Sequence, residues 1–247
     1  RVNGTMTADA WDGEKGGVYF VKVLQDSDIR GSIHVNNLGY RPQSQSSGEG
    51  TRGAQGQMRD PSGGGGGSFH DWPGQCGGWH QNWYSFCGMA GAYGTAGTRY
   101  CYAGRTCGEA DASIPYGQPN LSQWFFGAAG GNSTANEGYC CWGLRHHRHL
   151  GGGRGAGMLV LWSSGISVRG NIEARGQANN AGGAGGSLFL RARSMNVGNN
   201  RVNAMGGSGG GDAASDGGGG CNGGGSDGRS LLFVVQLAAD QPSQRHH

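Results

Sequence analysis

Glycine fills 56 of the 247 positions and gathers in tracts at residues 63–67, 151–153, 182–186, 206–211 and 217–225, which constrains the fold more than any other feature. It brings no side chain to a core and gives up the most conformational freedom on folding, so a conventional globule is disfavoured unless the tracts pack through their backbones. The tracts lack the every-third-residue period of collagen and there are only six prolines, which excludes a collagen triple helix. An extended tract with three residues per turn can instead bundle backbone against backbone, provided its amides find acceptors in neighbouring tracts. The sequence therefore predicts ordered polyglycine segments.

A flexible linker is the competing reading, and seven Trp, eight Tyr and seven Phe oppose it, because disordered tracts are poor in large apolar rings. Formal net charge is +3, Lys15 and Lys22 are the only lysines, and no block of like charge occurs, so no nucleic-acid partner is expected. No apolar run reaches the roughly 18 residues of a membrane span, and no signal peptide is visible. The sequence opens at Arg1 rather than Met, as a processed or trimmed chain would. Asn3, Asn120 and Asn132 each open a glycosylation sequon. With the cysteines described below, they point to export and to an extracellular or cell-surface location.

An internal repeat supplies the strongest signal. VNGTMTAD (residues 2–9), IRGSIHVN (29–36), VRGNIEAR (168–175) and NVGNNRVNAM (196–205) superimpose, the last with a slight length difference. A second strand type, VYFVKV (18–23), MLVLWS (158–163), SLFLRA (187–192) and SLLFVVQL (230–237), follows glycine-rich stretches. The alternation within SLFLRARSMNV and SIHVN places every second residue on one face, the period of a strand rather than a helix. Corresponding points lie about 27 to 29 residues apart where loops are short, the scale of one coil of a β-solenoid or one two-strand layer. The predicted unit is strand, short turn, strand, glycine loop.

The run SVRGNIEARGQANNAGGAGGSLFLRARSMNV resembles the glycine-rich β-repeats of microbial surface and adhesin-like proteins, and is similar in style to polyglycine tail-tip adhesins of phages. The resemblance covers residues 1–40 and 151–237. It implies a surface or adhesive role and transfers no catalytic residue.

Between the two repeat-bearing parts, strand periodicity fades while cysteines and aromatics concentrate. Cys76, Cys87, Cys101, Cys107, Cys140 and Cys141 form an even set in a loop-rich segment, which reads as a disulfide framework whose pairing is open among fifteen connectivities. Cys221 is left over, as a free thiol, a bridge to the insertion or a link between chains. His146, His147 and His149 follow Cys140 and Cys141, but no C-x-x-C pair completes a zinc site, so no metal is expected. The basic run LRHHRH reads as a solvated loop. Rings such as Trp79 and Trp124 are candidates for stacking on sugars, with packing in a small core as the stronger reading.

Enzyme signatures are weak, which leaves a hydrolase on a β-solenoid as a third and lesser class: the carboxylate pairs Asp9/Asp12, Asp26/Asp28 and Asp212/Asp216 read as turn residues, no G-x-S-x-G elbow occurs, and the glycine runs lack the Lys-Ser/Thr of a phosphate loop. No catalytic residue and no cofactor is expected.

The predicted fold is all-β: a glycine-rich β-solenoid or layered β-sandwich with polyglycine segments and a disulfide-stabilised, loop-rich insertion. Residues 1–40 form the first part of the repeat domain, 41–153 the insertion, and 154–247 the second part with a C-terminal tail. The sequence opens on the second strand type and closes on the first, so each end reads as half a unit, and uncapped half-units are templates for association. The expected function is that of an extracellular structural subunit of a fibre, coat or matrix, self-associating head to tail. The alternative is an adhesin or lectin that binds cell-surface glycans through the aromatic insertion.

Overall fold

Alternating apolar residues flanked by glycine form short strands throughout the computed structural model, which describes residues 1–42, 69–75, 82–88, 91–95, 97, 115–130, 133–137, 146–150, 152–179, 182–209 and 227–234. These residues are all-β, with no helix among them and hence no helix long and apolar enough to cross a membrane. The strands are β1 (Thr5–Met6), β2 (Val18–Lys22), β3 (Ser27–Ile29), β4 (Ser32–His34), β5 (Phe69–Gln75), β6 (Asn82–Gly88), β7 (Ser133–Glu137), β8 (His146–Leu150), β9 (Met158–Trp162), β10 (Gly165–Val168), β11 (Asn171–Glu173), β12 (Ser187–Ala192), β13 (Ser194–Val197), β14 (Val202–Asn203) and β15 (Arg229–Val234).

Three sheets are wholly parallel. The first runs β15-β12-β9-β2, the second β13-β10-β3 and the third β1-β4-β11-β14. Three successive stretches of chain, β2-β3-β4, β9-β10-β11 and β12-β13-β14, each give one strand to every sheet. The repeat unit thus holds three strands rather than the two expected. The cause lies in the Arg-Gly pairs. Arg30-Gly31 and Arg169-Gly170 break each apparent single run into a strand of the second sheet and one of the third. At these corners the amides of Arg30 and Gly31 both donate to the Val2 carbonyl (2.9 Å each), and those of Arg169 and Gly170 to the Ile29 carbonyl (2.8 and 2.9 Å). A β-carbon on Gly170 would lie 1.7 Å from the Gly31 carbonyl oxygen, and one on Gly31 2.0 Å from that of Gly4. At Gly31 and Gly170 the stacked backbones leave no room for a side chain.

Side chains from all three sheets meet in one core that includes Ile29, Ile33, Ile166, Val168, Ile172, Leu159, Leu161, Leu188 and Leu190. In the first sheet, Val21, Leu161 and Leu190 share one register row and Tyr19, Leu159 and Leu188 another. The last strand joins one residue earlier than the expected Ser230: Arg229 stands beside Ser187, and Leu232 beside Leu190. A one-residue change of register exchanges the two faces of a strand. It turns Phe233 outward and aligns Leu232 with the core leucines.

The described glycine-rich segments around residues 152–157, 182–186 and 206–209 interlock through their backbones, while the tracts at 63–67 and 217–225 lie outside the described residues. Successive amides of Gly155, Ala156 and Gly157 donate to Tyr40, Ala184 and Val35 (3.0, 2.9 and 2.8 Å), while the Ala156 carbonyl accepts from Gly127 (2.9 Å). Ala184 in turn donates to Ala128 (2.9 Å), Gly183 to Gln177 (3.0 Å), and Gly207 to Gly183 (2.8 Å). Donors that turn from neighbour to neighbour along one segment are what a bundle of three-residue-per-turn chains requires. They also satisfy buried backbone groups that no side chain could reach.

The insertion is less loop-rich than its sequence suggests, because β5-β6-β7-β8 form an antiparallel sheet. The histidine-rich run expected as a solvated loop supplies β8. Antiparallel pairing needs no long apolar run when neighbouring strands supply the ladder, so periodicity alone gives little sign of it. Asp28, read as a turn residue, lies in β3, whereas Asp12 does cap a turn, accepting from the amides of Glu14 and Lys15 (2.9 Å each).

Residues 91–95 and 115–130 bring a second cluster against the glycine segments: Tyr93, Tyr116, Ala128 and Ala184, with Phe125 packed on it. The Tyr93 hydroxyl lies 2.6 Å from Ser187 Oγ, which donates to the Phe125 carbonyl at 2.8 Å. The Tyr116 hydroxyl donates to the Phe126 carbonyl. Burial holds the Tyr116 ionisation well above the ordinary 10.0, with Tyr40 and Tyr93 adding to the effect. The unfolded chain therefore releases this proton first. The stabilising contribution is complete below about pH 10 and is lost as pH rises toward the folded value. Thermal unfolding followed from pH 8 to 11 is expected to show a steep alkaline loss of stability that is shallower in Tyr116→Phe. An unchanged slope in that variant would assign the loss to other groups.

Candidate ligand-binding face

Strand alternation sends every second residue of the first sheet away from the core, and parallel register stacks those residues in rows about 4.8 Å apart from strand to strand. One row reads Lys22, Trp162, Arg191, Phe233, and the next Phe20, Val160, Phe189, Leu231. Phe20 meets Trp162 edge to face at 5.5 Å between ring centroids. The Arg191 guanidinium lies 5.6 Å from the centre of the Trp162 ring and 5.8 Å from that of Phe233, within cation–π range of both. Among the described residues it makes no hydrogen bond or ion pair. Phe20 and Phe233 are about half exposed, at 54% and 48%, while Val160 is buried between Phe20 and Phe189. The outward positions of these four strands carry Lys22, Arg191 and Arg229 and no carboxylate. Arg229 is turned to other work, donating to the carbonyls of Tyr116 (3.1 Å) and Gly117 (3.4 Å) beneath the Tyr93 ring.

Trp124, a sequence candidate for sugar stacking, reaches this face, its ring 5.3 Å from that of Phe189 and tilted by 33°. It is half-buried there, so packing takes part of its surface. Trp79 lies outside the described residues. Phe20, Trp162, Arg191 and Phe233 were missed as site residues because each reads as an ordinary strand position. Stacking the aligned repeats in register is the signal that would have collected them.

A second charged group sits at the corner between the second and third sheets. Asp28 Oδ2 accepts from Arg30 Nε (2.8 Å) and Arg1 Nε (3.3 Å), and its Oδ1 lies 3.7 Å from Arg169 Nε. The hydrogen bond from Arg30 is the main reason its carboxyl stays below the usual carboxylate range. This cluster ties successive corners together and leaves its carboxylate engaged by three arginines.

Of the glycosylation candidates, Asn3 and Asn120 are exposed. Asn120 Oδ1 accepts from the Ser122 amide at 3.0 Å, and Asn132 lies outside the described residues. Cys76, Cys101, Cys107, Cys140, Cys141 and Cys221 also lie outside them, and Cys87 falls in β6, where the backbone alone is described. Among the described residues no three His, Cys, Asp or Glu side chains converge on one point. The chain matches no family model, and comparison with curated proteins and with solved structures found no significant similarity.

Proposed function

We propose that this chain is an extracellular structural element: a β-solenoid that stiffens a fibre, coat or matrix and extends it by self-association along the strand-stacking direction. The carrying observation is the first sheet, whose register continues without slip through four parallel strands and ends on two apolar edges. At one edge β2 exposes Val18 (45%) and Phe20, and at the other β15 exposes Leu232 (47%) and Val234 (51%). Among the described residues no strand covers either edge, and an open edge with exposed apolar side chains is a template for another strand, with Lys22 on β2 and Arg229 on β15 the charges that the two edge strands carry. The occupant proposed is β2 of a second copy laid parallel on β15, which continues the same apolar rows. Contact of one edge with a different edge is heterologous and yields open filaments when the rotation does not close. The exposed sequon asparagines Asn3 and Asn120 support an exported protein.

Sedimentation velocity over a concentration series, with electron microscopy of the same samples, tests this reading. Linear oligomers growing with concentration are expected, and Leu232→Lys, which places a charge on the edge, is expected to suppress them while leaving the fold intact. Compact monomers at every concentration would refute it.

A second reading, a glycan-binding adhesin, is favoured by one specific observation: Trp124 joins Phe189 on the same aromatic face that carries Arg191. The two readings share part of one surface, since Phe20 and Lys22 of the face lie on edge strand β2 and Phe233 on edge strand β15.

A further inference from the structure

We infer that the outward row Lys22, Trp162, Arg191, Phe233 is a binding site for an acidic polysaccharide, one bearing carboxylate or sulfate on its sugar rings. The inference rests on the adhesin reading, and because Lys22 and Phe233 lie on the edge strands that self-association would join it is tested on the monomer. Three observations carry it. First, Arg191 lies within cation–π range of two aromatic rings on neighbouring strands, 5.6 Å from the centre of Trp162 and 5.8 Å from that of Phe233. Among the described residues its guanidinium donates no hydrogen bond, so its planar donor edge is left for an anion. Contact with rings on both sides restricts the side chain before a ligand arrives, and its forked donors match a carboxylate or sulfate. Second, the face offers aromatic surface beside that charge: Phe20 is exposed edge-on to Trp162, and Phe233 is half exposed. Apolar ring faces accept the CH surfaces of a sugar while the cation takes its acidic group. Third, the charge is one-sided, since Lys22 and Arg191 share the row and no outward position of the sheet is acidic. An anionic polymer is favoured and a neutral one has no charge to gain. The parallel register repeats the row direction across four strands, which suits a linear chain better than a compact ligand.

Sugar is favoured over nucleic acid as the polymer because the chain's net charge of +3 supplies no broad basic surface to follow a phosphate backbone. The cations here are few and set among rings.

The test measures binding of the full chain, at concentrations where it is monomeric, to heparin, polygalacturonate, dextran and poly-dT by calorimetry in 150 mM salt. Heparin or polygalacturonate is expected to bind and dextran is not, and the one that binds tells sulfate from carboxylate recognition. Arg191→Gln is expected to weaken binding about tenfold, the effect of losing one charge-assisted hydrogen bond, while Arg191→Lys, which keeps charge without the planar fork, is expected to fall between. Arg169→Gln, at the Asp28 corner, is the control for general attraction and is expected to bind as the unaltered chain does. Protection of Arg191 from dicarbonyl modification by the bound polymer, read by mass spectrometry on the unaltered protein, is expected too and does not depend on any variant folding. Equal losses in the Arg191 and Arg169 variants, or no protection of Arg191, would overturn the site while leaving the adhesin reading in place. No binding to any glycan would overturn both, and tighter binding of poly-dT than of either acidic glycan would replace the inference with a nucleic-acid surface.

Discussion

Gly155→Ala is expected to be among the most destabilising single-methyl changes available in this chain. A β-carbon at that position would lie 1.7 Å from the Gly127 carbonyl oxygen and 2.4 Å from its carbonyl carbon. Both are backbone atoms, and no rotamer change relieves the overlap. Gly127 is itself fixed by its hydrogen bond to Ala156 (2.9 Å), and Gly155 by those with Tyr40 (3.0 Å) and Gly39 (2.8 Å). The segments must therefore separate, breaking bonds whose buried groups find no replacement partner. A loss of about 4 kcal/mol is expected, at the upper end of single substitutions, and a fall in Tm of about 8–16 °C at the sensitivity usual for a domain of this size. Gly4→Ala is the matched control. Nothing lies within 4 Å of its added β-carbon, so its effect is expected within about 0.5 kcal/mol. Thermal or urea unfolding of the two variants checks the pair. Equal stability would mean that glycine serves here as slack rather than as contact surface.

The second large effect separates two leucines of the same row. Leu190 and Leu232 are partners in the ladder between β12 and β15, yet Leu190 is fully buried and Leu232 is 47% exposed. Leu190→Ala is expected to cost about 3 kcal/mol, the transfer loss plus a cavity among packed neighbours. Leu232→Ala is expected to cost less than about 1 kcal/mol in the monomer, since its side chain is only half withdrawn from water. Urea unfolding of both variants at low protein concentration makes the comparison. If the two losses were alike, the register that places Leu232 on the edge strand would be wrong. In associated material the Leu232 effect is expected to grow, because a second copy would cover it.

The strand types were legible because burial on one face leaves a period of two that composition cannot hide. VYFVKV, MLVLWS and SLFLRA become β2, β9 and β12 of one sheet. The third strand of each unit was not legible. Segments such as SDI and GISV are three or four residues long, too short for a period to show, and Arg-Gly reads as part of a run until the corner hydrogen bonds reveal a bend. The register of β15 was equally hidden, since SLLFVVQL is apolar at consecutive positions and fits either face. Only the alignment of Leu232 with Leu190, and the anchoring of Arg229 on Tyr116 and Gly117, selects one.

The candidate face follows the same division. Trp124 could be named from the sequence as a ring able to stack, but nothing local places it over Phe189. Arg191 was invisible as a site residue because its meaning depends on Trp162 and Phe233, which lie 29 and 42 positions away in the chain. Parallel stacking converts that separation into adjacency.

Glycine content, the period-two runs and their recurrence were enough to determine that the described part of this chain is all-β, repetitive and packed partly through bare backbone, because each follows from the covalent chain and the cost of burying its groups. Which glycines touch, where each unit bends, which register the last strand takes and which rings flank Arg191 were decided by the tertiary structure alone. Those outcomes depend on close packing between segments far apart in sequence, where an overlap of one ångström or a shift of one residue outweighs any local preference.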